Sequence, residues 1–335
     1  MAITSRPVLD RGVRRSWTIA LLGVLFAAGV HLDGWAHNHG HVDESFFTPW
    51  HAVLYGTFLV LAVTLARPAL LRRADGASWA EAVPRRERLA LAGIAVFTAG
   101  GLGDMLWHTA FGVEEDLEAL LSPTHLTLAV GGVFMVTSAY LGSGRASAGG
   151  WWTAGPAVLA AAALWSLLGF MTQFMHPLVQ LWPTEAWFHA TMPFPELGEL
   201  VGVAGFVFHA VVAALVVLVL ARDDRLPDGG IAVLVGLAAV AAVTQGDDSW
   251  MALPMIAGGV GMAAAWRMIG GPVAGWRVRV LGALVGGGFV ASAIAGMFVG
   301  APVVWSAELW AGAVVGSALL GSLASLAVVA PRIDD

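Results

Sequence analysis

The sequence predicts an all-α, polytopic integral membrane bundle of about ten transmembrane helices, and three observations carry that expectation. First, hydrophobic residues make up 58% of the chain and charged residues only 12%, about half the charge of an ordinary soluble domain. Second, the apolar residues fall in runs of about 20, the length that crosses the ~30 Å hydrocarbon layer as a helix. Third, these runs are rich in Ala, Leu, Val and Gly and do not alternate. Barrel strands would alternate over about ten residues, and only helices and closed barrels cross lipid with every backbone group paired.

Candidate spans follow at 16–35, 48–67, 88–109, 123–143, 153–175, 196–221, 229–246, 250–269, 278–299 and 304–330. Arginines precede the first run as they would in a signal peptide. No small-residue cleavage site follows, so the run reads as a retained span. The seventh and eighth runs are separated by a very short turn. The whole of 1–335 reads as one transmembrane domain, with a duplicated pair of hairpins over 16–143 and supporting hairpins over 153–330. There is no lysine, and all 17 basic residues are arginine, a usage typical of GC-rich bacterial genomes. Arg6 to Arg15, the group from Arg67 to Arg88, and Arg145, Arg222, Arg225, Arg267, Arg277, Arg279 and Arg332 fall at alternate span ends. The positive-inside rule makes that face cytoplasmic, with both termini inside a bacterial plasma membrane. The chain has no cysteine, which excludes disulfides, thiolate ligands and cysteine nucleophiles.

The stretch HLDGWAHNHGHVDESFFTPWH, from His31 to His51, returns in altered form from Asp104 to His125. Both copies read Asp, three residues, His, six residues, Glu, then Ser/Thr-Pro-x-His. They are Asp33, His37, Glu44 and His51 in one copy, and Asp104, His108, Glu115 and His125 in the other. On a helix, Asp-x3-His sets both side chains on one face, about 6 Å apart along the axis. Thr48-Pro49 and Ser122-Pro123 have the form of helix starts, a capping hydroxyl followed by proline. The last histidine of each copy therefore falls in a first helical turn. By the arginine placement, both sets lie toward the periplasmic or extracellular face. Carboxylate and neutral imidazole are ligands for hard and borderline metals, so the eight residues read as a duplicated metal-ligand set. They could form one two-metal site or two separate sites, and the duplication favours two similar halves meeting face to face, as in four-helix di-metal cores. Glu44 and Glu115 are also candidates for proton acceptors in catalysis, and Glu118 rivals Glu115 because it lies seven residues before His125.

Other polar residues have a plainer explanation beside the functional one. His39 and His41 read as an exposed loop, and His31 as either a buried hydrogen-bonded side chain or a ligand. The acidic run around Glu115 reads as solvated loop. His176 and His189 flank a loop with Trp182, Trp187 and Met192, where interfacial aromatics are expected. His209 lies deep in the sixth span. Trp35 and Trp107 are candidates to wall the site. The arginines follow the inner loops and form no nucleic-acid patch, and the Gly286–Gly288 run lacks the strand and Lys-Ser/Thr of a phosphate loop.

The series Asp33-x3-His37-x13-His51 and Asp104-x3-His108-x16-His125 resembles the Asp-x3-His-x12-His copper-ligand pattern of the C-type subunit of particulate methane and ammonia monooxygenases. The likeness covers about 45 residues. It departs from that family in its two copies, its glutamates and its number of spans. The resemblance implies copper and oxidation of a small apolar substrate. Membrane di-iron hydroxylases match less well, since only His37-x3-His41 has the form of their histidine boxes. The expected function is a metal-dependent membrane oxidoreductase for a small or lipophilic substrate. Copper is the first choice of metal and iron the second, with zinc and manganese compatible, and an electron donor or partner subunits are expected. A metal transporter or capture protein, a metal-dependent hydrolase and a proton-sensing bundle use the same residues.

Overall fold

The computed structural model describes residues 6–41, 47–112, 116–185, 194–270 and 274–328. Among them the chain is helical, with no strand. The long helices are α1 (Arg6–Asn38), α2 (Pro49–Ala74), α3 (Arg85–Phe111), α4 (Pro123–Gly142), α5 (Trp151–Met171), α6 (Pro195–Arg222), α7 (Gly230–Val243), α8 (Ala252–Ile269), α9 (Trp276–Gly300) and α10 (Ala307–Val328). Nine of them are long and apolar enough to cross a membrane, and the chain is accordingly a multi-pass membrane protein.

The seventh expected span is the exception. α7 has 14 residues, about 21 Å at the helical rise, which is short of the hydrocarbon thickness. It ends where Thr244 and Gln245 replace the apolar run; Gln245 is buried and its side-chain amide bonds the Thr244 hydroxyl at 2.8 Å. α2 departs in the other direction, running on to Ala74 through Pro68 instead of stopping near 67. Ala69, just past the proline, is 2% exposed, so packing of this last stretch offsets the lost backbone bond.

The chain divides into two compact units. The first comprises residues 1–144 and 152–171, the second 145–151 and 172–335. In the first, Phe26 of α1, Leu61 of α2, Phe97 of α3, Met135 of α4 and Leu167 of α5 meet in one core. Phe97 meets Phe26 edge-on at 5.2 Å and stacks on Phe58 at 4.5 Å. The closest helix approach joins α3 and α4. A Cβ on Gly131 would stand 2.5 Å from the Phe97 nitrogen, and one on Gly93 would stand 2.8 Å from the Gly131 oxygen. Small residues that let helix backbones touch are the usual device in lipid, where apolar side chains gain little by leaving the surrounding hydrocarbon.

At one end of this unit α1, α2 and α3 are clamped by charge. Glu87 is 8% exposed and accepts from Arg15, at 3.0 Å, and from Arg72. Counting helical rise, the aspartates and histidines of the repeated stretches lie about 25–33 Å along α1, α2 and α3 from these partners, at the far end of the spans.

In the second unit, α9 and α10 lie backbone to backbone. Cβ atoms on Gly282 and Gly286 would collide with the Gly321 and Ser317 carbonyls at 2.1 and 2.5 Å. α6 packs on both helices, and α7 pairs with α8.

Replacing Gly131 by Ala should lower stability by about 1–3 kcal/mol, as overpacking against fixed backbone does. Gly12→Ala, where nothing stands within 4 Å of the new Cβ, should be neutral or gain up to about 1 kcal/mol of helix propensity. Thermal unfolding in detergent distinguishes the two; equal shifts would mean that the α3–α4 approach carries no stability.

Candidate metal centre

Each hairpin of the first unit closes at a glycine one turn below its aspartate. Gly29 precedes Asp33 by four residues, and its Cβ position lies 3.3 Å from the Leu54 Cα; Gly100 precedes Asp104 by four, with its Cβ position 3.0 Å from the Leu128 nitrogen. Leu54 and Leu128 each follow the final histidine of their stretch by three residues. The glycines therefore bring α2 to α1 and α4 to α3 where aspartate and histidine must meet. The caps set the histidines: Thr48 Oγ1 accepts the His51 backbone N–H at 3.1 Å, and Ser122 Oγ that of His125 at 3.3 Å. Proline follows each cap in the first helical turn.

Two separate sets result, one per hairpin. Asp33, His37 and His51 can each offer one ligand atom, all within 4.8 Å of one another, and so can Asp104, His108 and His125. In the first set Asp33 Oδ2 lies 3.9 Å from His37 Nε2 and 3.5 Å from His51 Nε2. In the second, Asp104 Oδ1 lies 3.5 Å from His108 Nε2 and 3.3 Å from His125 Nε2. Ligand bonds of about 2.1 Å in tetrahedral array put donor atoms about 3.4 Å apart, so these spacings suit a transition metal.

Hydrogen-bond directions in the second set define what it offers. A carboxylate only accepts, so the Thr124 hydroxyl donates to Asp104 Oδ1, at 2.9 Å. Thr124 Oγ1 is then an acceptor for Ser122 Oγ, 3.1 Å away. With its one hydrogen so used, Ser122 accepts from His125 Nδ1–H at 2.9 Å. His108 Nδ1 faces the Gly112 carbonyl at 3.1 Å and must donate to it. Both imidazoles therefore carry a proton on Nδ1 and turn Nε2 toward a carboxylate oxygen. A ring also protonated at Nε2 donates to Asp104. With both rings neutral, three acceptors meet, and they repel one another unless a cation lies among them.

No protein-family model, curated protein or solved structure matches this chain. The residues themselves are the whole basis for a functional reading.

The remaining candidates fall elsewhere. Glu44, Glu114, Glu115, Trp187, His189 and Met192 lie outside the described residues. Glu118 is exposed on the short helix Asp116–Leu121, and no metal-ligating group among the described residues includes it. His31 is a core histidine: it is 4% exposed, donates from Nδ1 to the Ala27 carbonyl at 2.9 Å and meets Phe170 edge-on. Trp35 stacks with His39 and His41 at 5.2 and 5.0 Å, and Trp107 packs on Phe111 at 4.7 Å. In the second unit the His176 and His209 rings pair at 4.0 Å. There His176 Nδ1 accepts the Leu178 N–H at 3.1 Å, and Thr172 Oγ1 lies 3.4 Å from His209 Nε2. No carboxylate joins that pair among the metal-ligating groups of the described residues. Glu185, also in the second unit, has its carboxyl pushed above the usual range by burial and then by the Asp248 charge.

Tyr55 is a neighbour of both sets that the spacing did not single out. It follows His51 by one helical turn, and its ring lies 6.1 Å from the imidazole. Its hydroxyl reaches α3, 3.0 Å from the Cβ position of Gly101, three residues before Asp104.

The bond directions can be checked by 15N NMR of histidine-labelled protein in detergent at neutral pH. His108 and His125 should both appear as the Nδ1–H tautomer, each assigned by the loss of its signal in a His→Gln variant. An Nε2–H signal from His125 would break the hydroxyl chain.

Proposed function

We propose that this protein is a membrane-embedded metalloenzyme. It is a copper- or iron-dependent oxidoreductase that acts on a small or lipophilic substrate. The observation that carries this reading is the convergence, in each set, of two imidazoles and one carboxylate whose ligand atoms lie within 4.8 Å of one another. Asp33, His37 and His51 would hold one ion, and Asp104, His108 and His125 a second. Two nitrogens and one oxygen suit copper, iron, nickel and zinc, and the affinity order of divalent ions puts copper at the top. The resemblance of both series to the copper pattern of the particulate monooxygenases points the same way. Three protein ligands leave coordination positions open, as catalytic sites do and closed structural sites do not. Copper bound there would supply one-electron exchange, with oxygen as the oxidant and a partner protein or small donor as the source of electrons.

The surroundings suit an apolar substrate. Phe47, Leu106 and Phe111, two to four residues from a ligand in sequence, are 81, 64 and 74% exposed. On this reading both sets face the periplasm of a bacterial inner membrane and both termini lie inside, which the arginine distribution supports. A metal-capture role is the second reading. It is favoured by His39 and His41 stacked on Trp35 beside the first set.

Purified protein should retain at least one equivalent of copper or iron by elemental analysis. The paired variant His37→Ala plus His108→Ala should lose it, and unchanged content in that variant would remove these residues from the proposal. A visible or paramagnetic signal that responds to oxygen supports the oxidoreductase. Uptake of copper into vesicles, with no such response, would shift the function to transport. Because the chain has no cysteine, topology can be read with a single introduced thiol. A Glu118→Cys variant should react with an impermeant maleimide on intact cells, and reaction only after lysis would invert the orientation.

A further inference from the structure

We propose that the two sets are unequal and load in order, with the Asp104 set filling first and the Asp33 set holding the weaker, exchangeable ion. This inference rests on the metal-binding reading above and adds the positioning residues that set the order.

The difference begins one residue before each final histidine. Thr124 stands before His125, and Trp50 stands before His51. Thr124 donates to Asp104 Oδ1 at 2.9 Å and, through Ser122, fixes His125 Nδ1. His108 is fixed by the Gly112 carbonyl at 3.1 Å. Every ligand of this set is therefore oriented before a cation arrives, and the Asp104 side chain is only 2% exposed.

Trp50 cannot serve Asp33 in this way. Its indole N–H donates to the His41 carbonyl at 2.8 Å. Asp33 Oδ1 is correspondingly buried with no hydrogen-bond partner. That oxygen invites a cation, which would satisfy it. However, no donor holds the carboxylate in one orientation, and its nearer oxygen lies 3.9 Å from His37 Nε2. Binding there must also order the ligands. Partners that orient metal ligands are worth about 10–100-fold in affinity.

The test is a titration of full-length, metal-stripped protein in detergent with cobalt(II), followed by calorimetry and by visible absorption. The wild type should bind two equivalents in two steps at least about tenfold apart. Thr124→Val should weaken the tighter step by about 10–100-fold and leave the other in place, while Thr124→Ser should restore it. Asp33→Asn should remove only the weaker equivalent. Trp50→Thr, which gives the first set its missing hydroxyl, should strengthen the weaker step, a gain that damage to folding does not produce. Two equal steps would overturn the ordering, as would loss of the tighter equivalent in Asp33→Asn or a Thr124→Val effect confined to the weaker step. One equivalent that needs both aspartates would overturn it too while leaving metal binding intact. No cobalt binding in the wild type would remove the metal reading itself.

Discussion

Two imidazoles and a carboxylate are turned toward one point in each set, and the first unit is built to hold them there. Rigidity near the ligands comes from capped first turns, because Thr48 and Ser122 fix His51 and His125 through the backbone. Closeness comes from glycine, because Gly29 and Gly100 let the partner helix approach one turn below each aspartate. Interactions farther away also serve this end. The Gly93–Gly131 contact and the aromatic cluster on Phe97 set the spacing of α3 and α4. At the other end of the spans, Glu87 joins α1, α2 and α3 through Arg15 and Arg72. A helix pinned at both ends has little freedom to carry its ligand away from the other two.

Much of this was legible in the sequence for one physical reason. Lipid cannot hydrogen-bond to a backbone, so each apolar run of about 20 residues is committed to helix whatever its neighbours do. The seventh run was misjudged because the polar residues at its end were counted in the span, whereas α7 stops at Val243. The end of α2 was misjudged because proline marks a local preference, and the burial of Ala69 outweighs it.

The two sets were legible because Asp-x3-His makes a face on any helix, and Ser/Thr-Pro marks a helix start without reference to tertiary structure. That each hairpin closes its own set depends on packing, which spacing does not contain. The glycine four residues before each aspartate was a visible signal, masked by the 42 glycines of the chain. Tyr55 and Thr124 were not legible in the same way. Tyr55 matters because it reaches Gly101 on another helix. Thr124 matters because of the direction in which its hydroxyl hydrogen points, and only the carboxylate across the hairpin fixes that direction.

The carboxylate also separates these sets from the other histidine pair of the chain. His176 and His209 are buried and closer together, with rings 4.0 Å apart. Yet no carboxylate completes that pair as a metal-ligating group among the described residues. A bare cation there would be an uncompensated charge in a low-dielectric interior, at a cost of several kcal/mol or more. One aspartate per set changes that balance. It neutralises a monovalent ion in full and leaves a single positive charge on a divalent one, while two imidazoles supply neutral donors. On the proposed reading, a one-electron change alternates between zero and one net charge for copper, and between one and two for iron. Low-polarity surroundings tolerate the first range far better than the second. The composition of each set, two neutral donors and one anion, therefore favours copper over iron for the proposed redox role.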